Sequence, residues 1–178
     1  MRRAKFKDGF GKYASPGDSI TCTQDKWTYT ARIEHDEDMG APWKEHDGHG
    51  PVSEWVSRPK AAGERVLSRD RESFRFYDFA EAVKIAKRDG WGPGTPAEAA
   101  EKDFEAMKGW ANDEWTWCGV VVSVAYDGVM LDKHAASLWG IDLNHPSGDN
   151  SYLLEVANEL LDEARDVGAK IRLKLCTC

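Results

Sequence analysis

The chain has 178 residues, of which 41% are hydrophobic, and it carries a formal net charge of −7. This length suits one domain with a single sizeable core. The acidic balance excludes general binding to nucleic acids, which requires a basic surface, and no run of about 18 apolar residues offers a membrane span.

Targeting and cysteine signals point to the cytoplasm. Basic residues near the start are not followed by the apolar core of a signal peptide. The four cysteines form no C-x-x-C pair, which favours reduced thiols. They are Cys22, Cys118, Cys176 and Cys178. We therefore expect a cytoplasmic protein.

The first third of the chain combines irregular segments with one clear strand. Residues 1–24 show no hydrophobic period, which predicts an irregular arm preceding a single domain over residues 25–178. Apolar and polar residues alternate from Lys26 to Glu34, which predicts a half-buried strand. Residues 35–55 are rich in Gly, Pro and charge, and Trp43 and Trp55 predict a long ordered loop that packs down.

Two helices follow two short candidate strands near residues 65–67 and 73–77. Asp78, with Glu81 three residues later, caps a helix over about residues 79–89 that Gly90 terminates. The segment Thr95-Pro96-Ala97-Glu98 is a capping box that opens a second helix over about residues 96–113.

The central element is a predicted hairpin over about residues 115–141. Its first strand contains the β-branched run from Val120 to Val124, which is typical of a strand covered on both faces. Asp127-Gly128 predicts a tight turn with positive φ at both positions. The alternation breaks between Asp132 and Ser137, which predicts a bulge in the second strand.

The last third contains the most amphipathic segment of the chain. Leucine, valine and alanine recur at helical spacing over about residues 151–166, and Gly168 marks a predicted end of this helix. Alternating basic and apolar residues over 170–175 predict an edge strand. Together the elements predict an α+β fold with three helices and a mostly antiparallel sheet around the central hairpin.

The long loop is rich in side chains that can bind metal ions. Imidazole and carboxylate groups are the usual ligands of Zn²⁺ and other first-row divalent metals. The candidates are His35, Asp36, Asp38, His46, Asp47 and His49. No established metal motif holds them, so the alternative is that they solvate the loop and bond to its backbone. In that case no cofactor is expected.

A second candidate site lies in the predicted bulge. Asp132 and His134 are candidates for the pair in which a carboxylate orients a general base, with Ser137 as a nearby hydroxyl. Spacing alone does not establish such a geometry, and no complete catalytic motif is present. The sequence therefore points away from an enzyme.

Other residues are candidates for binding a partner. Tryptophan is enriched in interface hot spots, which singles out Trp43 and Trp55 in the loop. Glu155, Glu159 and Asp162 form part of an acidic helix face, which is either a solvated surface or a surface for a basic partner.

Four segments carry a resemblance. HDGHGPVSEW, RFYDFAEAVKIAKRDGW, ASLWGIDL and YLLEVANELLDEA resemble segments of a group of small, acidic, uncharacterised proteins encoded by tailed bacteriophages. The resemblance covers most of residues 27–164. It implies a protein made in the cytosol of an infected bacterium, where small acidic proteins often bind a host or phage protein.

Three hypotheses about function follow. The first is a protein that binds a protein partner, in its specific form an inhibitor of a bacterial defence system. The second is a metal-dependent hydrolase or other small enzyme that uses residues 35–49. The third is a structural or virion-associated protein.

Overall fold

The computed structural model describes residues 4–46 and 48–176. The fold is α+β, as predicted, with antiparallel sheets and four helices among the described residues. Residue contacts divide the chain into two compact units. The first contains the described parts of residues 1–37, 116–144 and 148–178, and the second contains residues 38–115 and 145–147.

A four-stranded antiparallel sheet forms the first unit. Its strands are β1 (Ser19–Gln24), β2 (Trp27–His35), β5 (Thr116–Tyr126) and β6 (Val129–Leu143). The spatial order is β1-β2-β5-β6, so β5 lies inside the sheet. Both of its neighbours pair along nearly its whole length, and Val120, Val122 and Val124 are fully buried in the core.

The central hairpin has the predicted turn and the predicted irregularity. Asp127 and Gly128 have φ values of 52° and 80°, as a tight turn of this sequence requires. Register shifts separate the pairs Val122–Ala136 and Val124–Asp132, so β6 bulges within the predicted segment. The strand continues on both sides of the bulge.

One long helix, α4 (Tyr152–Cys176), packs on this sheet. Its buried residues recur at helical spacing and join the core that includes Ile33 and the β5 valines. They are Leu153, Ala157, Leu161 and Ala164.

Two predictions for the ends of the chain are wrong. The last six residues of the predicted irregular arm form β1, which pairs with β2, and Phe6 is buried in the core. The predicted edge strand at 170–175 is instead the last part of α4. The helix continues through Gly168 because the missing Cβ lets it approach Trp27 and Val124 closely.

The described residues of the second unit form a two-stranded sheet and three helices. The elements are α1 (Pro42–Glu45), β3 (Glu64–Asp70), β4 (Ser73–Asp78), α2 (Phe79–Asp89) and α3 (Pro96–Ala111). β3 and β4 pair antiparallel, and Val52 of the long loop and Val56, just after the loop, form isolated bridges to β4. The loop therefore packs down, as predicted.

Capping residues set the ends of α2 and α3. The Asp78 side chain accepts a hydrogen bond from the Glu81 backbone N–H, and Gly90 ends α2 with a φ of 68°. Thr95 and Glu98 form the predicted capping box at the start of α3. Within the described ranges, no helix combines the length and the apolar character needed to cross a membrane.

Candidate functional site

Two of the predicted metal ligands belong to the first unit and serve its own structure. His35 ends β2, and its Nε2 lies 3.2 Å from the hydroxyl of Thr116 on the neighbouring strand. Asp36 is buried, and its Oδ2 accepts a 2.9 Å hydrogen bond from the backbone N–H of Gly140. Gly140 has a φ of 74°, so this carboxylate supports an irregular point of β6.

The remaining candidates that the structure describes belong to the second unit. His46 follows α1, and its backbone N–H donates to the carbonyl of Pro42. Asp47 lies outside the described residues. Across 4–46 and 48–176, no three His, Cys, Asp or Glu side chains are grouped closely enough to hold a metal ion. His49 of the loop instead contacts Asp103.

Asp132 and His134 do not form the predicted orienting pair. Asp132 Oδ1 accepts a 2.8 Å hydrogen bond from the backbone N–H of His134 and thereby stabilises the bulge. The Ser137 hydroxyl accepts from the Trp139 indole at 3.2 Å. At the bulge, a short polar side chain satisfies a backbone donor that ladder pairing leaves over.

Asp103 on α3 holds the long loop of the second unit. Its Oδ1 lies 2.6 Å from Nδ1 of His49, while its Oδ2 accepts from the backbone N–H of Gly50 at 2.8 Å and from the Tyr77 hydroxyl at 2.6 Å. One carboxylate therefore connects α3, β4 and the loop. We call these four residues the Asp103 cluster.

Burial strengthens the Asp103 cluster. Tyr77 is fully buried and His49 is one-quarter exposed at its side chain. Burial, together with the Asp103 carboxylate, raises the pKa of Tyr77 far above its ordinary value, so the phenol remains a hydrogen-bond donor. A carboxylate only accepts hydrogen bonds, so it selects the His49 tautomer that carries its proton on Nδ1.

A cavity of about 630 Å³ adjoins the Asp103 cluster. Its walls combine the His49 ring and Asp103 with apolar surface from Trp91, Pro93 and Pro146. Its size falls in the range of small-molecule sites in proteins. His145 and Ser147 also line it, with the Ser147 hydroxyl 2.8 Å from Nδ1 of His145. We call this space the His49 cavity.

Sequence reasoning missed Asp103. It lies three positions after the buried Ala100 and immediately before the buried Phe104, on the apolar side of α3. A carboxylate at the margin of an apolar helix stripe is the signal that could have singled it out, because such a group requires donors when the helix packs. Its partner, 54 positions away, could not be identified from spacing.

The predicted partner-binding carboxylates lie on one exposed side of α4. Glu155, Glu159, Asp162 and Asp166 follow one another at helical spacing and are exposed. Arg165 donates to Asp162 at 2.6 Å, and its guanidinium lies 5.7 Å from the centre of the Tyr29 ring. We call the four carboxylates the acidic face.

A second cavity, of about 550 Å³, adjoins the acidic face within the first unit. Asp25 of the β1–β2 turn, Trp27 and Tyr29 contribute to its lining, together with Asp162 and Asp166 of α4. Carboxylates and aromatic rings are the groups that bind ammonium and guanidinium ions. We call this space the acidic cavity.

The two tryptophans of the long loop surround an arginine. The Arg75 guanidinium lies 5.3 Å from the centre of the Trp43 ring and 4.9 Å from that of Trp55. Trp43 also contacts Trp110 edge-on at 5.2 Å. Trp43 therefore packs within the second unit, whereas Trp55 is 45% exposed. Their role in partner binding stays a prediction.

Comparisons with known proteins identify no relative. No family model matches the chain, no curated protein matches it, and no solved structure matches it.

Proposed function

We propose that the protein acts by binding a protein partner through a basic segment of that partner. The observation that carries this proposal is the acidic face of α4, where four exposed carboxylates follow one another on one side of a helix. The chain as a whole has a net charge of −7, which also favours a basic partner.

The acidic cavity supplies an anchor point for a basic side chain. Asp25 and Asp166 provide carboxylates, and Trp27 and Tyr29 provide aromatic rings. Arg165 of the chain itself already places a guanidinium near Tyr29 and against Asp162. A lysine or arginine of the partner would use the same chemistry next to it.

Exposed carboxylates contribute mainly to the rate and specificity of association. An exposed ion pair stabilises a complex by roughly 0–1 kcal/mol, because water and salt screen it. Complementary charge steers the encounter instead, and this effect decreases with ionic strength. The proposed complex should therefore form more slowly at high salt.

The specific form of this proposal is inhibition of a bacterial defence protein. Its support is the resemblance of four segments to proteins of tailed bacteriophages, which implies a partner in a bacterial cytosol. Restored phage growth on a strain that carries a defence system, when this protein is expressed there, is the expected result for this specific form.

A charge-reversal comparison tests the binding proposal. Glu155→Lys, Glu159→Lys and Asp166→Lys are combined in one variant, which leaves the Asp162–Arg165 ion pair in place. The control variant makes the same change of net charge at exposed residues outside α4. It combines Glu37→Lys, Asp70→Lys and Glu72→Lys. Each immobilised protein is incubated with bacterial lysate, and bound proteins are identified by mass spectrometry.

The expected result is a protein recovered by the natural chain and by the control variant but not by the acidic-face variant. The purified partner should then bind the acidic-face variant at least about tenfold more weakly, with a loss that shrinks as salt rises. Recovery of the same proteins by all three chains, or of none by any, would overturn the proposal.

A further inference from the structure

His49 presents a proton acceptor of defined orientation. Asp103 Oδ1 lies 2.6 Å from Nδ1 of His49 and can only accept, so Nε2 is the ring nitrogen left for a ligand. The Asp103 carboxylate is itself held by Gly50 and Tyr77, so it cannot rotate away from the ring without breaking two further hydrogen bonds. The imidazole is therefore fixed in both tautomer and angle.

The walls of the His49 cavity define the body of a ligand. Trp91, Pro93 and Pro146 present flat apolar surface, and Ala99 and Ala106 are small. Such surfaces favour a planar apolar molecule, since burial removes its faces from water.

The charged residues of the His49 cavity favour an uncharged ligand. Glu101, Lys102 and Glu105 bring charges of both signs to its lining and are all exposed to water. Glu101 is paired with Arg65 at 2.7 Å. Recognition of a charged group would need charges of one sign converging on it.

We propose that the His49 cavity binds a small, uncharged aromatic molecule that bears a hydroxyl group, and that the hydroxyl donates its proton in a hydrogen bond to His49. The apolar walls hold the ring, and the oriented imidazole selects the donor. This function lies in the second unit and is independent of the proposed binding of a basic partner by α4.

A matched pair of ligands tests this proposal without altering the protein. 2-Naphthol and 2-methoxynaphthalene have similar apolar bodies, but only the former has a hydroxyl proton to donate. Each is titrated into the full chain, and binding is followed by backbone and indole N–H resonances. We expect shifts at Gly48, His49, Trp91 and Ser147, and about tenfold tighter binding of 2-naphthol, as one hydrogen bond to an oriented acceptor supplies.

Two variants assign the preference to His49. His49→Phe removes the acceptor and keeps a planar ring, so the two naphthalenes should bind it equally. His134→Phe changes an exposed histidine of the first unit and should leave the tenfold preference intact.

Three outcomes would overturn the proposal. They are no binding of either compound, resonance shifts outside the His49 cavity, and a hydroxyl preference that persists in the His49→Phe variant. If His49→Phe does not fold, the comparison of the two ligands on the natural chain still decides between a site that requires a donor and a merely apolar surface.

Discussion

The Cα of Gly50 lies directly against the ring of Tyr77. A Cβ on residue 50 would be 2.3 Å from both Cζ and Oη of that ring, closer than non-bonded atoms approach. Tyr77 is fully buried, and its hydroxyl donates to Asp103, so the ring has nowhere to move. Glycine is therefore required for the long loop to reach α3.

We expect Gly50→Ala to lower the free energy of unfolding by roughly 1–3 kcal/mol, because an added methyl group in a packed site forces its neighbours apart. Urea denaturation measures the loss. Gly11→Ala is the control, since a Cβ there would meet only the Tyr13 carbonyl oxygen at 3.6 Å. Equal stability of the two variants would contradict the close contact with Tyr77.

The Glu64 carboxylate should make folding stability depend on acid. Two hydrogen bonds from the Arg58 guanidinium, and a third from the backbone N–H of Ala61, lower the pKa of Glu64 from its ordinary 4.5 to about 2. A lowered pKa in the folded state means that this stabilisation is complete above about pH 4.5 and is lost as the pH falls toward 2.

Arg58→Gln tests this dependence. The substitution removes the main donor, so the pKa of Glu64 should rise toward its ordinary value, and the acid-dependent part of the stability should shrink. Carbon-detected NMR titration of the Glu64 carboxyl group measures the pKa directly. Arg69→Gln makes the same charge change at a side chain that donates to a backbone carbonyl, and it should leave the pKa of Glu64 low.

Cys118 should resist alkylation while the protein is folded. Burial, with the nearby Asp142 and Asp36 carboxylates, raises the pKa of its thiol to about 12. The thiolate is the reactive species, so iodoacetamide at neutral pH should modify Cys118 at least about a hundredfold more slowly than in the unfolded chain. Peptide mass spectrometry over time, with and without guanidinium, measures both rates. Equal rates would show that the thiol is accessible and not buried.

Gly168→Ala sets two effects against each other in α4. Alanine favours a helix over glycine by about 1 kcal/mol, but a Cβ there would be 2.9 Å from the Trp27 ring and from a methyl group of Val124. We expect the packing conflict to prevail, with a net loss of about 1 kcal/mol in urea denaturation. In a Val124→Ala background the loss should become smaller, as a double-mutant cycle detects. A gain in stability in the natural background would contradict the close packing of α4 on the sheet.

Three glycines show the difference between what the local sequence predicts and what packing decides. Gly90 has a φ of 68° and ends α2, and Gly128 has a φ of 80° and completes a turn. Gly168 looked like a helix end by the same reasoning, but it lies inside α4. Glycine occurs at this position because a Cβ would come too close to Trp27 and Val124 of the neighbouring sheet.

The candidate sites show the same difference between local sequence and tertiary packing. The acidic face follows from helical spacing in the sequence, because its residues belong to one helix. For the loop histidines the sequence left two alternatives, a metal site within the loop or hydrogen bonds to the loop backbone. The partner of His49 is Asp103, and only tertiary packing brings them together.

The sequence by itself determined the α+β class, the central hairpin and the capped ends of α2 and α3. These features depend on side chains and backbone angles within a few residues of one another, so a local pattern is sufficient to specify them. Tertiary structure alone decided the pairing of β1, the continuation of α4 and the orientation of His49. Each of these depends on burying or hydrogen-bonding groups that are distant along the chain, and the free energy of such contacts exists only once the segments have met.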